Sequence, residues 1–253
     1  MGKEIEKAWQ ATAQVLFGKS IGGLSQYEEW LKADVPATII ASSVVSGRQV
    51  YIPNFVFYAA TQKQAMALDE SLKWGAKHIG EAEVRGISLQ NAASLLGDIR
   101  YFSSDVEVGT NIGMEECGIY FNCSFCLCSN SLVASKYCAY CMWPRNCEHV
   151  FGCAWIFSCS FCIKCYHSEN LTRCFETSNS TNCSDCCFCH NCENVHDSMF
   201  CFNAKNLSHA IGNVEYSKEE YARIKKLVLA EIAVKVTKDK KLELSIYSIG
   251  AKK

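Results

Sequence analysis

The chain is poor in several things. Three prolines in 253 residues leave no room for a polyproline or collagen-like segment. A formal net charge of −1 gives no basic face of the kind that grips phosphates, so no nucleic-acid partner is expected. No stretch approaches the roughly 20 consecutive apolar residues of a spanning helix, so no membrane partner is expected. Met1 to Lys7 is charged with no apolar run behind it, unlike a secretory leader, and Glu6 occupies the position where a myristoylation motif needs Ser or Thr. These points read as a cytoplasmic chain whose thiols stay reduced.

What is abundant is cysteine. Of 18 cysteines, 17 lie between Ile119 and Val214, with Cys117 just before, and 16 of the 18 (all but Cys128 and Cys187) occupy positions divisible by three. Chance would place about a third there, so a period governs the region. Rows of twelve align it. One column reads Asn122, Ala134, Asn146, Ser158, Asn170, Asn182, Asn194, Asn206, and the next reads Cys123, Ser135, Cys147, Cys159, Leu171, Cys183, Val195, Leu207. Twelve residues are too few for a helical pair but suit one coil, or half a coil, of a β-solenoid. A thin interior wants small side chains, and a free thiol behaves as a small hydrophobe. The Asn column fits a corner, because Asn tolerates the left-handed conformation and its amides can bond along the stack. Spacings of 12 and of 24 both fit. Eight coils at strand spacing make a rod of roughly 40 Å.

The expected fold class is therefore mainly β. An N-terminal α/β unit spans 1–80, a Cys-cored solenoid 81–214, and a capping helix with a terminal strand 215–253. Within the first unit, apolar spacing predicts a helix over Lys3–Phe17, Ser25 with Glu28 and Thr61 with Gln64 form capping boxes, and Ala37–Val45 with Gln49–Tyr58 reads as a hairpin. Trp9, Trp30 and Trp74 read as core anchors. Residues 79–117 keep the frame without the cysteines, as atypical first coils would. Ser217 with Glu220 starts a helix over Glu219–Val234. Thr237–Lys241 is a charged turn, and Leu242, Leu244 and Ile246 alternate as a strand.

The run NCSDCCFCHNCENVHDSMFCFNAKNLSHAIGNVEYSKEEY (Asn182–Tyr221) resembles the C-terminal signature of a poorly characterised group of Cys- and Asn-rich repeat proteins from archaea, candidate-phyla bacteria and phage-like genomes. Shared features are cysteines at spacings of three, Lys205-Asn206-Leu207, and the helix start Glu215–Tyr221. The resemblance covers roughly residues 110 to 235. It implies a fold type and a place in the assembly of a virus or mobile element, hence cytoplasm or virion, and no activity.

Four chemistries compete. The first is a structural or interaction scaffold, with no catalytic residue. The ninth column, Leu127, Ala139, Phe151, Ile163, Phe175, Cys187, Met199, Ile211, is an apolar stripe that is either covered by the N-terminal unit or offered to a protein partner or a second copy. The second is a metal-binding or thiol-redox protein. Seven C-x-x-C pairs include spacings within zinc range, and Cys183, Cys186, Cys189 and Cys192 are the densest candidate for Zn. Against it, Cys exchanges with Ser, Leu, Val and Ala in one column, as a core position does and a ligand does not. A full set of disulfides is disfavoured by parallel Cβ vectors between coils. The fourth is a polymer-acting solenoid enzyme. Arg173, Asp185, Asp197 and His209 fall in one column, a surface salt-bridge row or an acid–base site. If the cysteines are core, Ser in their place should cost more than Ala unless a bond is at hand.

Overall fold

The computed structural model describes residues 2–250 except 146, 155, 157, 167, 170 and 171. It is a β-solenoid of about eight coils with helices at both ends of the chain. Parallel pairing links each coil to the next twelve residues on: Tyr120 to Leu132, Thr177 to Cys189, Glu193 to Lys205 and Met199 to Ile211. The coil is thus twelve residues long and not 24. The first coil carries one extra residue, since Val106 faces Ile119 whereas Ile112 faces Ser124.

The path of a coil follows from its dihedrals. Positive φ recurs every third residue, from Asn179 through Asn182, Asp185, Phe188, Asn191 and Asn194 to His209, at 45° to 56°. Each of these regular coils therefore has four left-handed corners and four three-residue sides, whereas in the middle coils Phe161, Lys164, Arg173 and Glu176 leave the left-handed region and Cys159, Cys165 and Tyr166 take positive φ instead. The residue after each corner points inward. That is why Cys123, Cys126, Ser129, Leu132, Ser135, Cys138 and Cys141 are all buried, three apart. The Asn column is one corner of the four, and it forms the expected ladder: Asn182 Nδ2 donates to Asn194 Oδ1 at 3.2 Å, and Asn194 Nδ2 to Asn206 Oδ1 at 2.8 Å. A second ladder joins Asn191 to Asn203 at 2.7 Å. The Asn146 and Asn170 corners lie outside the described residues.

The apolar stripe is covered. Leu127, Ala139, Phe151, Ile163, Phe175 and Met199 are buried in one cluster with Ile5, Trp9, Leu16, Tyr27 and Trp30 of the N-terminal segment, and with Ile232, Ala233 and Val236 of the last helix. Only Ile211, at the end, stays partly exposed. Trp9 meets Phe151 edge-on at 5.2 Å, and Phe17 meets Phe175 likewise at 5.2 Å. Each fully buried large side chain is worth about 1.5–3 kcal/mol of transfer free energy, so the first helix (Lys3–Phe17) is held by the stripe and the stripe is shut by the helix.

Several expectations need correction. Residues 81–103 are not solenoid coils. They carry helices Glu81–Arg85 and Ala92–Leu95 and a short strand, Phe102–Ser103, paired with Ala65–Met66, so coiling starts at Val106. The reason is that this stretch lacks the small inward residues the lumen demands. The hairpin exists but is short, Ile39–Ser42 against Gln49–Ile52. Ser25 lies inside a 3₁₀ turn and caps nothing, and Thr61 precedes another such turn. The helix that follows, Leu68–Trp74, is capped by Glu70, whose carboxylate accepts from the Ala67 N–H at 3.0 Å. Trp74 is half-buried and packs on Tyr101 away from the core. At the C-terminus Ser217 does cap the last helix, Lys218–Asp239, accepting from the Glu220 N–H. That helix runs past the expected turn. Residues 242–246 form no strand: Ile246 is buried and its N–H donates to the Glu176 side chain, Oε2, at 3.0 Å instead of to a main-chain ladder.

Asn194 both accepts from Asn182 and donates to Asn206, with φ at 55°. Asn194→Leu should lower unfolding stability by about 2 kcal/mol, the sum of left-handed strain and lost bonds. Asn194→Gly, which keeps the corner, should cost less than half of that. Urea titration of both variants checks the order, and equal losses would mean that the corner conformation is not what Asn supplies.

Candidate functional site

Three places on the molecule concentrate chemistry-bearing groups. The first is the lumen. Its thiols donate to carbonyls two residues back and nine ahead, as Cys186 does to Ser184 (3.2 Å) and Val195 (3.3 Å), and Cys141 to Ala139 (3.1 Å) and Val150 (3.4 Å). All 18 thiols are free. Burial pushes the Cys117, Cys153, Cys165 and Cys187 thiols well up, which makes them poor nucleophiles. Cys187 belongs to the apolar stripe, and Cys128, at a corner, donates to Glu116 at 2.8 Å.

The four candidate zinc ligands are the four inward residues of one coil, one on each side, and the Cys192 N–H reaches Ser180 Oγ of the preceding coil at 3.2 Å. Among the described residues, no group of three or more His, Cys, Asp or Glu side chains is arranged to hold a metal ion. Serines in the same frame show why Cys exchanges with them. Ser129, Ser180 and Ser198 each donate two residues back (2.7, 2.9 and 2.8 Å) and accept from the N–H twelve ahead (3.0, 3.2 and 3.1 Å). A hydroxyl at such a position finds partners, which is the case in which the expected penalty of Ser over Ala does not apply.

The second place is the seventh column. Asp185, Asp197 and His209 are corner residues with φ of 51°, 45° and 54°. The row does not lie on an open face. It borders the last helix, where Lys225 stands 3.8 Å from Asp197 and His209 packs against the Tyr221 ring at 5.7 Å. Arg173 and Asp185 line a small recess beside Lys225 and Leu229. The ion pair of Asp197 is partly exposed and worth little by itself, as expected for a surface row, but its partner comes from the helix.

The third place carried no sequence signal. Lys164, Tyr166 and Glu176 sit where neighbouring coils have aromatic or small residues, and all three are buried. Lys164 Nζ donates to Asp34 Oδ2 at 2.5 Å, the Tyr166 hydroxyl reaches Asp34 at 3.0 Å and Glu176 Oε1 at 2.7 Å, and Glu176 Oε2 accepts from Ile246. This chain ties the N-terminal segment, the solenoid and the C-terminal tail together. Tyr247 adds to it by packing on Tyr166 at 5.0 Å. Burial pushes the Glu176 carboxyl up to about 7, against the pull of Tyr166 and Lys164. The signal was obscured because Lys164 and Glu176 occupy one corner column that elsewhere holds Tyr140, Phe188 and Phe200.

Comparison with protein-family models, with curated proteins and with solved structures finds no match for this chain.

Two outcomes follow. At position 186 a hydroxyl would meet the Ser184 carbonyl and the Ser198 N–H, which already points at the sulfur. Cys186→Ser and Cys186→Ala should each cost about 1 kcal/mol or less, with Ser no worse than Ala, whereas loss of a structural metal ligand would unfold the region in both. Thermal melts with and without a chelator decide. Glu176 binds its proton more tightly folded, at about 7, than at the ordinary 4.5, so its contribution to stability is full below about pH 4.5 and is lost as pH rises through 7. Glu176→Gln should flatten that part of the stability–pH curve. An unchanged slope between pH 5 and 7.5 would mean that Glu176 ionises without cost.

Proposed function

We propose that the protein is a structural or interaction scaffold that makes its contacts through the solenoid sides left free by its own helices. The observation that carries this reading is the side between the two Asn ladders. Thr181, Glu193 and Lys205 stand along it at twelve-residue steps, all exposed, flanked by Asn182, Asn194 and Asn206 on one edge and Asn191 and Asn203 on the other. A lumen packed with side chains makes the rod stiff, and the parallel ladder repeats the same polar pattern at each coil. Stiffness with a repeated face is what a scaffold needs, and solenoids present extended surfaces in this way. The resemblance of Asn182–Tyr221 to Cys- and Asn-rich repeat proteins of phage-like genomes supports placing it in the assembly of a virus or mobile element, in the cytoplasm or the virion. Among the described residues, no helix is long and apolar enough to cross a membrane.

Sedimentation velocity over a wide concentration range tests the proposal. Reversible association is expected. It should weaken with Lys205→Glu, which breaks the Lys205–Glu193 pair on that side, while the fold is kept. A monomer at every concentration, together with polysaccharide hydrolysis that Asp185→Asn abolishes, would replace the scaffold with the solenoid enzyme.

A further inference from the structure

A groove of about 580 Å³ runs between the last helix, the C-terminal end of the first helix and the Asp197–His209 corner. Its size falls within the range of small-molecule sites, roughly 300–1,000 Å³. One part is apolar, lined by Val15, Leu16, Phe17 and Leu229. Val15 is 50% exposed, although it belongs to a helix whose other apolar residues are nearly all buried. The other part is cationic. Lys218, Lys225, Lys226 and His209 border it, against a single carboxylate, Asp197. The Lys225 ammonium lies 5.4 Å from the centre of the Tyr221 ring, and at 3.8 Å its pairing with Asp197 is loose.

At this polar end stands a donor without an acceptor. Tyr221 is 3% exposed, lines the groove, and its hydroxyl makes no hydrogen bond. A buried hydroxyl left in that state keeps its desolvation penalty, and an anionic oxygen brought beside it removes that penalty. The groove also follows the first turns of the 22-residue last helix, whose positive end favours negative charge. Apolar wall, excess positive charge and an unspent donor point to one kind of occupant.

We propose that this groove binds a small amphiphilic anion, an apolar body of acyl-chain size with one carboxylate-type head. The body lies along Val15, Leu16 and Leu229. The head takes a hydrogen bond from Tyr221 and an ion pair from Lys225, which turns from Asp197 to reach it.

Isothermal titration of the full chain with decanoate, 1-decanol and decylammonium, all below their aggregation concentrations, tests this. Decanoate should bind saturably at one equivalent. Decanol should bind at least about tenfold more weakly, since it lacks the charge-assisted bonds, and decylammonium more weakly still. Lys225→Gln should lower decanoate affinity about tenfold and leave decanol unchanged. Val15→Trp, which fills the apolar part from an exposed position, should abolish both while the melting temperature stays near that of the parent. Equal affinity for decanoate and decanol would reduce the groove to an apolar patch. Preference for decylammonium, or no saturable binding by a folded protein, would overturn the proposal outright.

Discussion

Everything in this molecule is subordinate to one geometric constraint: each coil must superpose on the next at a step of twelve residues so that the parallel main-chain ladder continues. A coil that short closes by turning at four corners, and in the regular coils on either side of the middle each corner takes positive φ. Asn and Asp accept that conformation at little cost. Tyr137, Phe188 and Phe200 do not, and each stores strain of about 1–2 kcal/mol. The same register offsets it. Phe188 stacks on Phe200 at 5.3 Å with rings 4° from parallel, and Phe125 on Tyr137 at 5.5 Å and 8°. Identical corners thus build ladders outside, of amides at two edges and of aromatic rings at the other two.

The constraint also explains the thiols. Three-residue sides leave a narrow lumen filled mostly by Cys, Ser, Ala and Val, with Leu132 and Ile156 among the larger residues it holds. A thiol fills it without a strong demand for hydrogen bonds, and still adds a weak S–H contact to a ladder carbonyl. Cysteine here is a packing residue with a donor attached. The charged exceptions, Lys164 and Glu176, lie on an outward corner and are buried by other segments, where they trade packing for a fastening between the ends of the chain.

The helices follow from the solenoid as well. A twelve-residue coil with one apolar column produces a continuous stripe, and water-exposed stripes of that length are avoided. The first helix offers Ile5, Trp9 and Leu16 and the last offers Ile232, Ala233 and Val236 to the same seam, so the two ends of the chain meet over the middle. Where they diverge, beside Val15 and Tyr221, the groove opens.

How much of this was legible depended on period. Cysteines at every third position and Asn at every twelfth carry the coil, its inward columns and one corner, because each inward side chain answers to the same local space whatever surrounds the rod. The first helix and the Ser217 cap were legible for a like reason: spacing and capping are local. The other three corners were not, since Asp185, Phe188 and Asn191 share a dihedral and no side-chain chemistry. Nor was the true start of coiling at Val106, because residues 81–103 keep apolar residues in a similar frame yet form two short helices and a strand. Coil length, the covering of the stripe, the Asp34–Lys164–Tyr166–Glu176 chain and the groove were decided only by tertiary structure. Coil length depends on the register that neighbouring coils adopt, and the others depend on which segments, more than a hundred residues apart, end up against the same side of the rod; a pattern that repeats every twelve residues holds no record of what lies across from it.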